Sequence, residues 1–473
     1  MKVLFIHFRS PPTRDNKQVK NSRMSGTDSA GTDGVSLQMM DRLNLVEEMG
    51  HQAAICSAYF WADYPVTDLE FDSEEVSRMM LNLFGAEISD YKDEVRLKKA
   101  FGNSCRRLKK ELKNVITSYM PGLILAHNMM SLPVHPVATV AFTDLLRETG
   151  LPCSAVHHDV LSEGAYRFKP TCDFAQMILD TYYPPSLPRL KHWTINNRNQ
   201  KILRERGIDT GVMHDTINFN NTLSPEEHAN TRTFLRNKYG IGQNDIVLFV
   251  AARIVPNKQT ELTGQLAAAV EKFRSELEGN KLYHGGVFSE ENKVLLVLGG
   301  RPERSFYEYR NNLFQLFDSL KINWVYLGDE VSPRWTDDGV YHPLYPDLYY
   351  LADISLYPSV WEGFGSLVLK TFASNLPLVV FEYPVFKEDI KPKGVKIISL
   401  GDKTEREDSN GLVTLAPEIL QRAANEVVTI VTDPELYRTT TEHNFRIGQQ
   451  YFSLDILREH LHELISWAES INV

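Results

Sequence analysis

Short apolar runs alternate with longer amphipathic stretches through the first half of the chain. The runs at 3–8, 53–57, 123–126 and 154–156 are apolar on both faces. This pattern is typical of strands buried within a parallel sheet. Between the first two runs, apolar positions from Leu37 to Val46 repeat with helical spacing, and the stretch begins at Gly34 and stops at Gly50. Strand, glycine-bearing loop, helix and strand predict a β-α-β unit.

The same alternation starts again in the second half of the chain. Apolar runs lie at 246–251, 294–298, 324–327, 354–357 and 378–381, with a helical pattern around 260–277. A polar, asparagine-rich segment at 209–244 separates the two series. We therefore predict an α/β fold with two parallel sheets. The predicted divisions are an N-terminal domain at 1–215, a C-terminal domain at 216–452, and a helix at 453–473 that packs back on the N-terminal domain.

Length and composition agree with this organisation and exclude some classes of protein. The 473 residues exceed one ordinary core, and 42% hydrophobic with 24% charged residues is usual for a globular protein. A net charge of −10 argues against nucleic-acid binding. The four cysteines lack zinc-site or disulfide spacing, and no apolar run is long enough for a signal peptide or a membrane span. These features predict a cytoplasmic protein.

Five short motifs at the ends of predicted strands and helices carry the chemistry. Residues 357–366 read Tyr-Pro-Ser-Val-Trp-Glu-Gly-Phe-Gly-Ser. The others are Gly-Thr-Asp-Gly-Val-Ser at 31–36, Glu-Met-Gly-His at 48–51, His-His-Asp at 157–159 and Ala-Arg-Ile-Val-Pro-Asn-Lys at 252–258. Taken in their order along the chain, the five motifs resemble those of the retaining glycosyltransferases of family 4. Residues 183–188 and 383–390 further resemble a subgroup whose members make small glycosides such as mannosylglucosylglycerate.

The resemblance implies a fold and an activity. The fold is GT-B, in which two Rossmann-like domains face each other across a deep cleft that binds the donor. The implied activity is a retaining transfer of a hexose from a nucleotide sugar, of the GDP-mannose or UDP-glucose type, to a small hydroxylated acceptor such as a sugar or a glycerate derivative. No resident cofactor is implied. Because no Asp-x-Asp or similar ligand cluster stands in a suitable place, we also expect the reaction to be independent of metal ions.

The donor's diphosphate gains negative charge as the glycosidic bond breaks, so its site needs cations and N–H donors. Arg253 and Lys258 follow a predicted strand, where α/β proteins bind ligands, and the resemblance implies that both contact the diphosphate. Free N–H groups at the start of a helix also favour phosphate. The residues that open such a helix here are Gly363, Phe364, Gly365, Ser366 and Leu367. The alternative is a pair of ordinary surface cations.

Other donor contacts follow from the same resemblance. Glu362 accepts hydrogen bonds from the sugar's hydroxyls, and Gly34 lets its loop approach the phosphate. Selection of the base depends on backbone contacts near Leu327 and Gly328, which no motif resolves. One position departs from the family, because Lys370 replaces the carboxylate that binds the ribose diol, and a lysine cannot accept from a diol. Four explanations of this substitution stay open. The nucleotide is held in a different way, the donor is an unusual one, the affinity for the donor is weakened or lost, or Lys370 points to solvent. We favour a different grip on the nucleotide.

Four residues are predicted to be catalytic. His158 belongs to the N-terminal domain, and Arg253, Lys258 and Glu362 belong to the C-terminal domain. The resemblance implies that His158 contacts a sugar hydroxyl rather than acting as a general base. Nearby polar residues are candidates for acceptor binding: Thr32, Asp33, His127, Asn128, His157, Asp159, Glu163 and Arg167. The alternative for this group is a charged loop without a binding role.

A predicted basic helix and two further functions complete the expectations. Eight cations lie between 96 and 113, which we interpret as a solvated helix face, with peripheral membrane contact as the alternative. A GT-B glycoside phosphorylase would bind inorganic phosphate where the nucleotide's phosphate lies. A catalytically impaired transferase acting as a binding protein is favoured only by Lys370. The oligomeric state stays open.

Overall fold

The computed structural model describes residues 1–10, 34–164, 167–220, 223–329, 334–335, 341–342 and 346–471. Within these ranges the chain forms two compact units. The first contains Met1–Asp215 and the C-terminal helix, and the second contains Thr216–Trp335 and His342–Ser453. Among the described residues, no helix combines the length and the apolar character needed to cross a membrane.

The first unit is built on a seven-stranded parallel sheet. Its strands are β1 (Lys2–Ile6), β2 (Gln52–Ser57), β3 (Tyr64–Pro65), β4 (Leu123–His127), β5 (Cys153–His157), β6 (Leu190–Thr194) and β7 (Thr210–Val212). The spatial order is β3-β2-β1-β4-β5-β6-β7, and every pairing is parallel. In β1, which lies inside the sheet, Phe5 pairs with Ile55 on one side and Leu125 on the other.

The second unit is built on a six-stranded parallel sheet. Its strands are β8 (Ile246–Val250), β9 (Val294–Leu298), β10 (Asn323–Tyr326), β13 (Ile354–Tyr357), β14 (Leu378–Val380) and β15 (Ile398–Ser399). The spatial order is β10-β9-β8-β13-β14-β15. Four two-residue strands form small separate ladders: β11 (Arg334–Trp335), β12 (Tyr341–His342), β16 (Arg406–Glu407) and β17 (Val413–Thr414).

Helices connect the strands in both units. Those of the first unit are α1 (Gly34–Glu48), α2 (Glu74–Phe84), α3 (Glu94–Tyr119), α4 (Pro136–Thr149), α5 (Leu161–Gly164), α6 (Asp173–Tyr182) and α7 (Asn197–Glu205). Those of the second are α8 (Pro225–Lys238), α9 (Glu261–Glu271), α10 (Arg274–Leu277), α11 (Tyr307–Ser319), α12 (Ser366–Ala373), α13 (Pro417–Thr432) and α14 (Pro434–Phe452). The last helix, α15 (Leu454–Ile471), packs against α1 in the first unit.

Each sheet is apolar on both faces because helices cover both. In β1, Leu4 belongs to a core shared with α3 and α4, whereas Val3 and Phe5 belong to a core shared with α1 and α15. The second sheet repeats the arrangement, since Leu248 packs with α9 while Phe249 packs with α8. Side chains alternate between faces along a strand, so both faces of these strands must be apolar. The predicted α/β fold with two parallel sheets is confirmed.

Two local predictions need correction. The helical pattern around 260–277 is two helices, because α9 ends at Glu271 and α10 begins at Arg274. The backbone N–H groups of Lys272 and Phe273 bond three residues back, which tightens the chain and ends α9. Strand β6 was absent from the predicted elements because its sequence, Leu-Lys-His-Trp-Thr, is half polar and only partly buried.

Candidate functional site

The carboxyl edge of the second sheet brings Lys258 and Glu362 together. The loops that carry them follow the neighbouring strands β8 and β13, which pair side by side. The two loops are joined by a hydrogen bond of 3.0 Å from the N–H of Val360 to the carbonyl of Asn257. The ammonium of Lys258 forms an ion pair with Oε1 of Glu362, and the two side chains are only 11% and 14% exposed. A charge pair this well shielded from water is uncommon outside functional sites and structural networks.

Arg253 begins the same loop as Lys258 and carries a second cation to this edge. Its guanidinium forms an ion pair with Glu303, which follows β9, the neighbour of β8 on the other side. The Arg253 side chain is 65% exposed, so this pair is surrounded by water and contributes little to stability. Both predicted diphosphate ligands therefore lie at one sheet edge, each facing a carboxylate.

The turn at Gly363–Ser366 is shaped by one glycine and one tyrosine. Gly365 has φ +127°, which side-chain-bearing residues rarely adopt, and a Cβ there would clash with the hydroxyl of Tyr383. That hydroxyl donates a hydrogen bond of 2.6 Å to the carbonyl of Phe364, whose ring packs edge-on against Phe452. Helix α12 begins at Ser366, immediately after this turn. The predicted glycine turn at the start of a helix is present in the structure.

Two buried tyrosines flank Glu362. The rings of Tyr357 and Tyr383 lie 5.9 Å apart in an edge-to-face arrangement. Burial raises the pKa of both phenols well above its usual range, and the negative charge of Glu362 raises it further. Both phenols are protonated at neutral pH, and Tyr357 donates to the carboxylate of Glu362 while Tyr383 donates to the carbonyl of Phe364.

The remaining donor-site candidates lie on the same unit. Lys370 is half-buried in the last turn of α12. Leu367 packs partly against the core of the second unit. Gly328 is buried directly after β10, where a Cβ would clash with the ring of Tyr326. Gly34, in contrast, is exposed at the start of α1 with ordinary φ and open space around its Cα, so no feature of the described structure requires glycine there.

In the first unit, Asn128 fixes the backbone after β5. It has the left-handed φ of 54°, and its Oδ1 accepts hydrogen bonds from the N–H groups of His158 and Asp159 at 2.8 and 3.4 Å. Its Nδ2 donates to Oδ2 of Asp159 at 3.0 Å. The side-chain amide is therefore engaged by the two residues that follow β5. An acceptor contact, as the sequence suggested for Asn128, would compete with these bonds.

His158 lies among buried groups at the carboxyl edge of the first sheet. Its ring is 5.8 Å from that of His127, and Nδ1 is 3.8 Å from Oδ1 of Asp215. His158 is 6% exposed and His127 is fully buried. Burial, with a smaller contribution from the charge of Arg42, lowers the pKa of both rings well below its usual range. Both histidines are neutral at pH 7.

His157 belongs to a buried chain of hydrogen bonds. Nε2 of His192 donates to the carbonyl of Pro185, so Nδ1 of the neutral His192 ring accepts from Nε2 of His157, each at 2.9 Å. Nδ1 of His157 then accepts from the hydroxyl of Ser131, also at 2.9 Å. Both ring nitrogens of His157 are thus used inside the core. An acceptor contact there would have to displace one of these bonds.

The other acceptor-site candidates are less well defined. Thr32 and Asp33, and the side chain of Glu163, lie outside the described residues. Arg167 is exposed, and its charge counteracts the burial that raises the pKa of Asp159. Across the part of the chain that the structure describes, no three His, Cys, Asp or Glu side chains are arranged to hold a metal ion.

Four residues at these edges were missed by sequence reasoning: Arg42, Asp215, Glu303 and Tyr383. For Arg42 a signal existed, because a charged residue stands among the buried positions of α1 next to Leu43. Asp215 and Glu303 carry no local signal, since each is recognised only by its partner elsewhere in the chain. Tyr383 begins the subgroup motif at 383–390, but the motif assigns it no role.

Known proteins resemble the chain in sequence and in fold. No family model matches it. The mannosylglucosylglycerate synthase of Thermotoga maritima is 32% identical over 432 residues, which cover 90% of this chain and 95% of that protein. The mannosylglucosylglycerate synthase of Petrotoga mobilis is 29% identical over 346 residues, covering 71% and 76%.

Solved structures match the chain in fold over nearly its whole length. Sucrose-phosphate synthase from Thermosynechococcus elongatus matches with a TM-score of 0.59 at 14% identity, over 100% of both chains. Anabaena HepE, solved with UDP and glucose, matches with a TM-score of 0.56 at 16% identity, over 98% of this chain and 99% of its own. These matches, with the two parallel sheets, show an α/β GT-B fold. Given this fold and the Thermotoga match along nearly its whole length, the chain belongs to the glycosyltransferase family of the mannosylglucosylglycerate synthases.

Proposed function

We propose that this glycosyltransferase moves a hexose from a nucleotide sugar to a small acceptor that carries a glycerate group, and that it retains the configuration of the transferred sugar. The observation that carries the proposal is the shielded Lys258–Glu362 pair at the carboxyl edge of the second sheet. The names of the two relatives support a mannosyl group as the hexose and glucosylglycerate as the acceptor. GDP-mannose is then the first donor to test, with UDP-glucose as the second.

The second unit supplies the charge that the donor's diphosphate needs. Bond cleavage leaves negative charge on the phosphate, and Lys258 and Arg253 stabilise it with charge-assisted hydrogen bonds. Lys258 is only 8% exposed, so its interaction with a phosphate is weakened less by water than that of a surface lysine. Glu362, released from Lys258 when a phosphate binds, accepts hydrogen bonds from the sugar's hydroxyls.

In a transfer without a covalent intermediate, retention requires the acceptor to approach from the face that the phosphate leaves. The departing phosphate oxygen is the natural base for the acceptor's proton, because it gains charge as the bond breaks. His158 then acts by binding a hydroxyl of the sugar. Its neutral ring suits this role, since it donates from one nitrogen and accepts at the other.

Lys370 distinguishes this site from the usual pattern of family 4. We propose that Lys370 binds a phosphate or hydroxyl oxygen of the nucleotide, replacing the carboxylate that grips the ribose in family 4. We further propose that the reaction needs no metal ion, with Arg253 and Lys258 supplying the positive charge. Loss of turnover on addition of EDTA, restored by a divalent cation, would contradict this part.

A binding panel and a transfer assay test the proposal. Thermal unfolding is measured with GDP, UDP, ADP and their sugars, with inorganic phosphate and pyridoxal phosphate as controls. A nucleotide at 100 times its dissociation constant stabilises the protein by about 2.7 kcal/mol. The protein is then incubated with the stabilising donor and glycerate, glucosylglycerate or glucose, and products are followed by mass spectrometry.

Each outcome of the assay has a defined meaning. A hexosylated glycerate derivative whose anomeric configuration equals the donor's supports the proposal. A product of inverted configuration contradicts retention. Glucose 1-phosphate and glycerate formed from glucosylglycerate and inorganic phosphate, without a nucleotide sugar, identify a phosphorylase. Nucleotide binding without transfer to any acceptor identifies an impaired transferase that acts as a binding protein.

A further inference from the structure

The surroundings of His158 go beyond what a sugar contact alone requires. Two polar residues from different segments hold it: Asn128, at the end of β4, and Asp215, after β7. The side chain of Asn128 accepts from the N–H of His158 at 2.8 Å, and Oδ1 of Asp215 faces Nδ1 of its ring at 3.8 Å. The side chains of His158 and Asp215 are 6% and 9% exposed. One residue therefore fixes the backbone and the other faces the ring.

Oδ1 of Asp215 lies 3.8 Å from Nδ1 of His158, which is too long for a hydrogen bond but close enough for the charge of the carboxylate to bias the tautomer. A neutral imidazole has one N–H and one lone pair. If Nδ1 presented its lone pair to the carboxylate, two acceptors would repel each other in a region shielded from water. A carboxylate in this position favours the tautomer with the proton on Nδ1 and the lone pair on Nε2. Nε2 is buried and has no hydrogen-bond partner within the described residues.

We propose that Asn128 and Asp215 are positioning residues that present Nε2 of a neutral His158 as a hydrogen-bond acceptor to a hydroxyl group of the bound sugar. The proposal rests on the proposed function, because it assigns the direction of a hydrogen bond at the same site. It predicts that the sugar's hydroxyl donates to His158. It also gives Asn128 a role different from direct contact with the acceptor.

Burial is the main reason that the His158 ring is neutral, and the charge of Arg42 lowers the pKa of the ring further. The ionisable groups that face the ring from the surrounding elements are His7, Arg42, His127, His157 and Asp215. Arg42 is fully buried on α1, with Nη1 donating to the carbonyl of Gln38 at 2.9 Å. Its positive charge opposes a second positive charge on His158, whereas Asp215 is a described carboxylate that faces Nδ1.

A spectroscopic test of the tautomer does not depend on activity. Protein labelled with ¹⁵N at histidine is examined by two-bond ¹H–¹⁵N correlation at pH 7, and the signal of His158 is assigned by its loss in His158→Gln. We expect a protonated Nδ1 and an unprotonated Nε2 in the native protein. In Asp215→Asn, whose amide can donate to Nδ1, we expect the proton to move to Nε2. A native ring with its proton on Nε2 would overturn the proposal, whatever the enzyme's substrates prove to be.

Kinetic variants test the positioning role. We expect Asp215→Asn to lower kcat/KM for transfer by about 10- to 100-fold, with the nucleotide's dissociation constant changed less than about twofold. In a His158→Ala background, Asp215→Asn should have no further effect, because it acts through the ring. Glycine at position 128 tolerates the left-handed φ but lacks the side-chain amide. We therefore expect Asn128→Gly to lower kcat/KM in the native protein and to have no further effect in the His158→Ala background.

Controls separate this proposal from a general loss of structure. Asp209→Asn makes the same chemical change at an exposed position and should leave kcat/KM unaltered. Equal losses from Asp215→Asn in the native and His158→Ala backgrounds would show a structural role and overturn the proposal. If the native protein transfers no hexose at all, the proposed function fails, while the tautomer measurement still decides the assignment of Asp215.

Discussion

The phenol of Tyr383 donates a hydrogen bond of 2.6 Å to the carbonyl of Phe364, and the same hydroxyl occupies the space that a side chain at Gly365 would need. The two residues therefore define one turn together. The tyrosine holds the carbonyl before the glycine, and the glycine adopts φ +127° because it has no Cβ. Helix α12 starts at the next residue, so this pair fixes where its first N–H groups point.

Replacing Gly365 by alanine tests whether this turn binds the donor. The added methyl is strained at this φ and clashes with Tyr383, so we expect Gly365→Ala to lower the free energy of unfolding by about 1–3 kcal/mol. We also expect weaker nucleotide binding by calorimetry. Gly102→Ala, within helix α3, is the matched control and should stabilise slightly because the position has room. Unchanged stability and affinity in Gly365→Ala would mean that the turn tolerates a side chain.

The hydroxyl of Tyr383 can be removed without changing the shape of the ring. Tyr383→Phe leaves the Phe364 carbonyl buried without this donor, and we expect a loss of about 1 kcal/mol in the free energy of unfolding. Nucleotide affinity should fall as the turn loosens, and chemical denaturation with calorimetry measures both quantities. A variant with native affinity and reduced stability would restrict the hydroxyl to a structural role.

Lys370 offers a test of the altered grip on the nucleotide. In Lys370→Glu a carboxylate returns to a position that can accept from the ribose diol, so we expect tighter binding of GDP or UDP. The gain should vanish with the 2′,3′-dideoxy nucleotide, and Lys370→Gln serves as the uncharged control. Glutamate in the last turn of α12 opposes the helix dipole, which costs about 0.3–1 kcal/mol of stability. Equal affinity for both nucleotide forms in every variant would indicate that Lys370 does not face the ribose.

Buried neutral histidines predict a loss of stability in weak acid. Burial lowers the pKa of His135 and of His192 to about 4, against about 6.5 in an unfolded chain. Between these values the unfolded chain binds protons that the folded chain does not. The stabilisation is complete above pH 6.5 and is lost as the pH falls towards 4.

For each of these two histidines, we expect the free energy of unfolding to fall by about 2 kcal/mol between pH 6.5 and pH 5. Urea unfolding at pH 7.5 and pH 5 measures the effect, and pH 5 lies above the ordinary range of carboxylates. A midpoint that stays constant or rises at pH 5 would show that these rings are protonated in the folded protein.

The strands were predictable because burial on both faces leaves a continuous apolar run. The predicted strands at 294–298 and 354–357 agree with β9 and β13 at both ends. Strand β6 was not predictable in this way, because Lys191 and His192 interrupt its apolar sequence. The polar ring of His192 is tolerated in the core because it is hydrogen-bonded there. A polar residue whose partners come from other segments leaves no periodic signal.

The candidate site was predictable as a set of residues but not as a set of contacts. Motifs located Lys258 and Glu362, yet their pairing joins positions 104 residues apart and depends on β8 lying beside β13. Asp215 lies far along the chain from His158, and neither the aspartate nor its neighbours form a motif. Such relationships arise from the order of strands in the sheet, which the sequence pattern alone does not specify.

The central claim is that the carboxyl edge of the second sheet binds a nucleoside diphosphate through Lys258. The most direct test is calorimetric titration of GDP and UDP into the native protein and into Lys258→Met, with the exposed Lys272→Met as a control. The double variant Lys258→Gln/Glu362→Gln is included because it leaves no buried charge unpaired. A lost charge-assisted hydrogen bond should raise the dissociation constant about 10- to 100-fold in both Lys258 variants and leave Lys272→Met unchanged. Native affinity in the folded Lys258 variants, or no binding of either nucleotide to the native protein, would contradict the account.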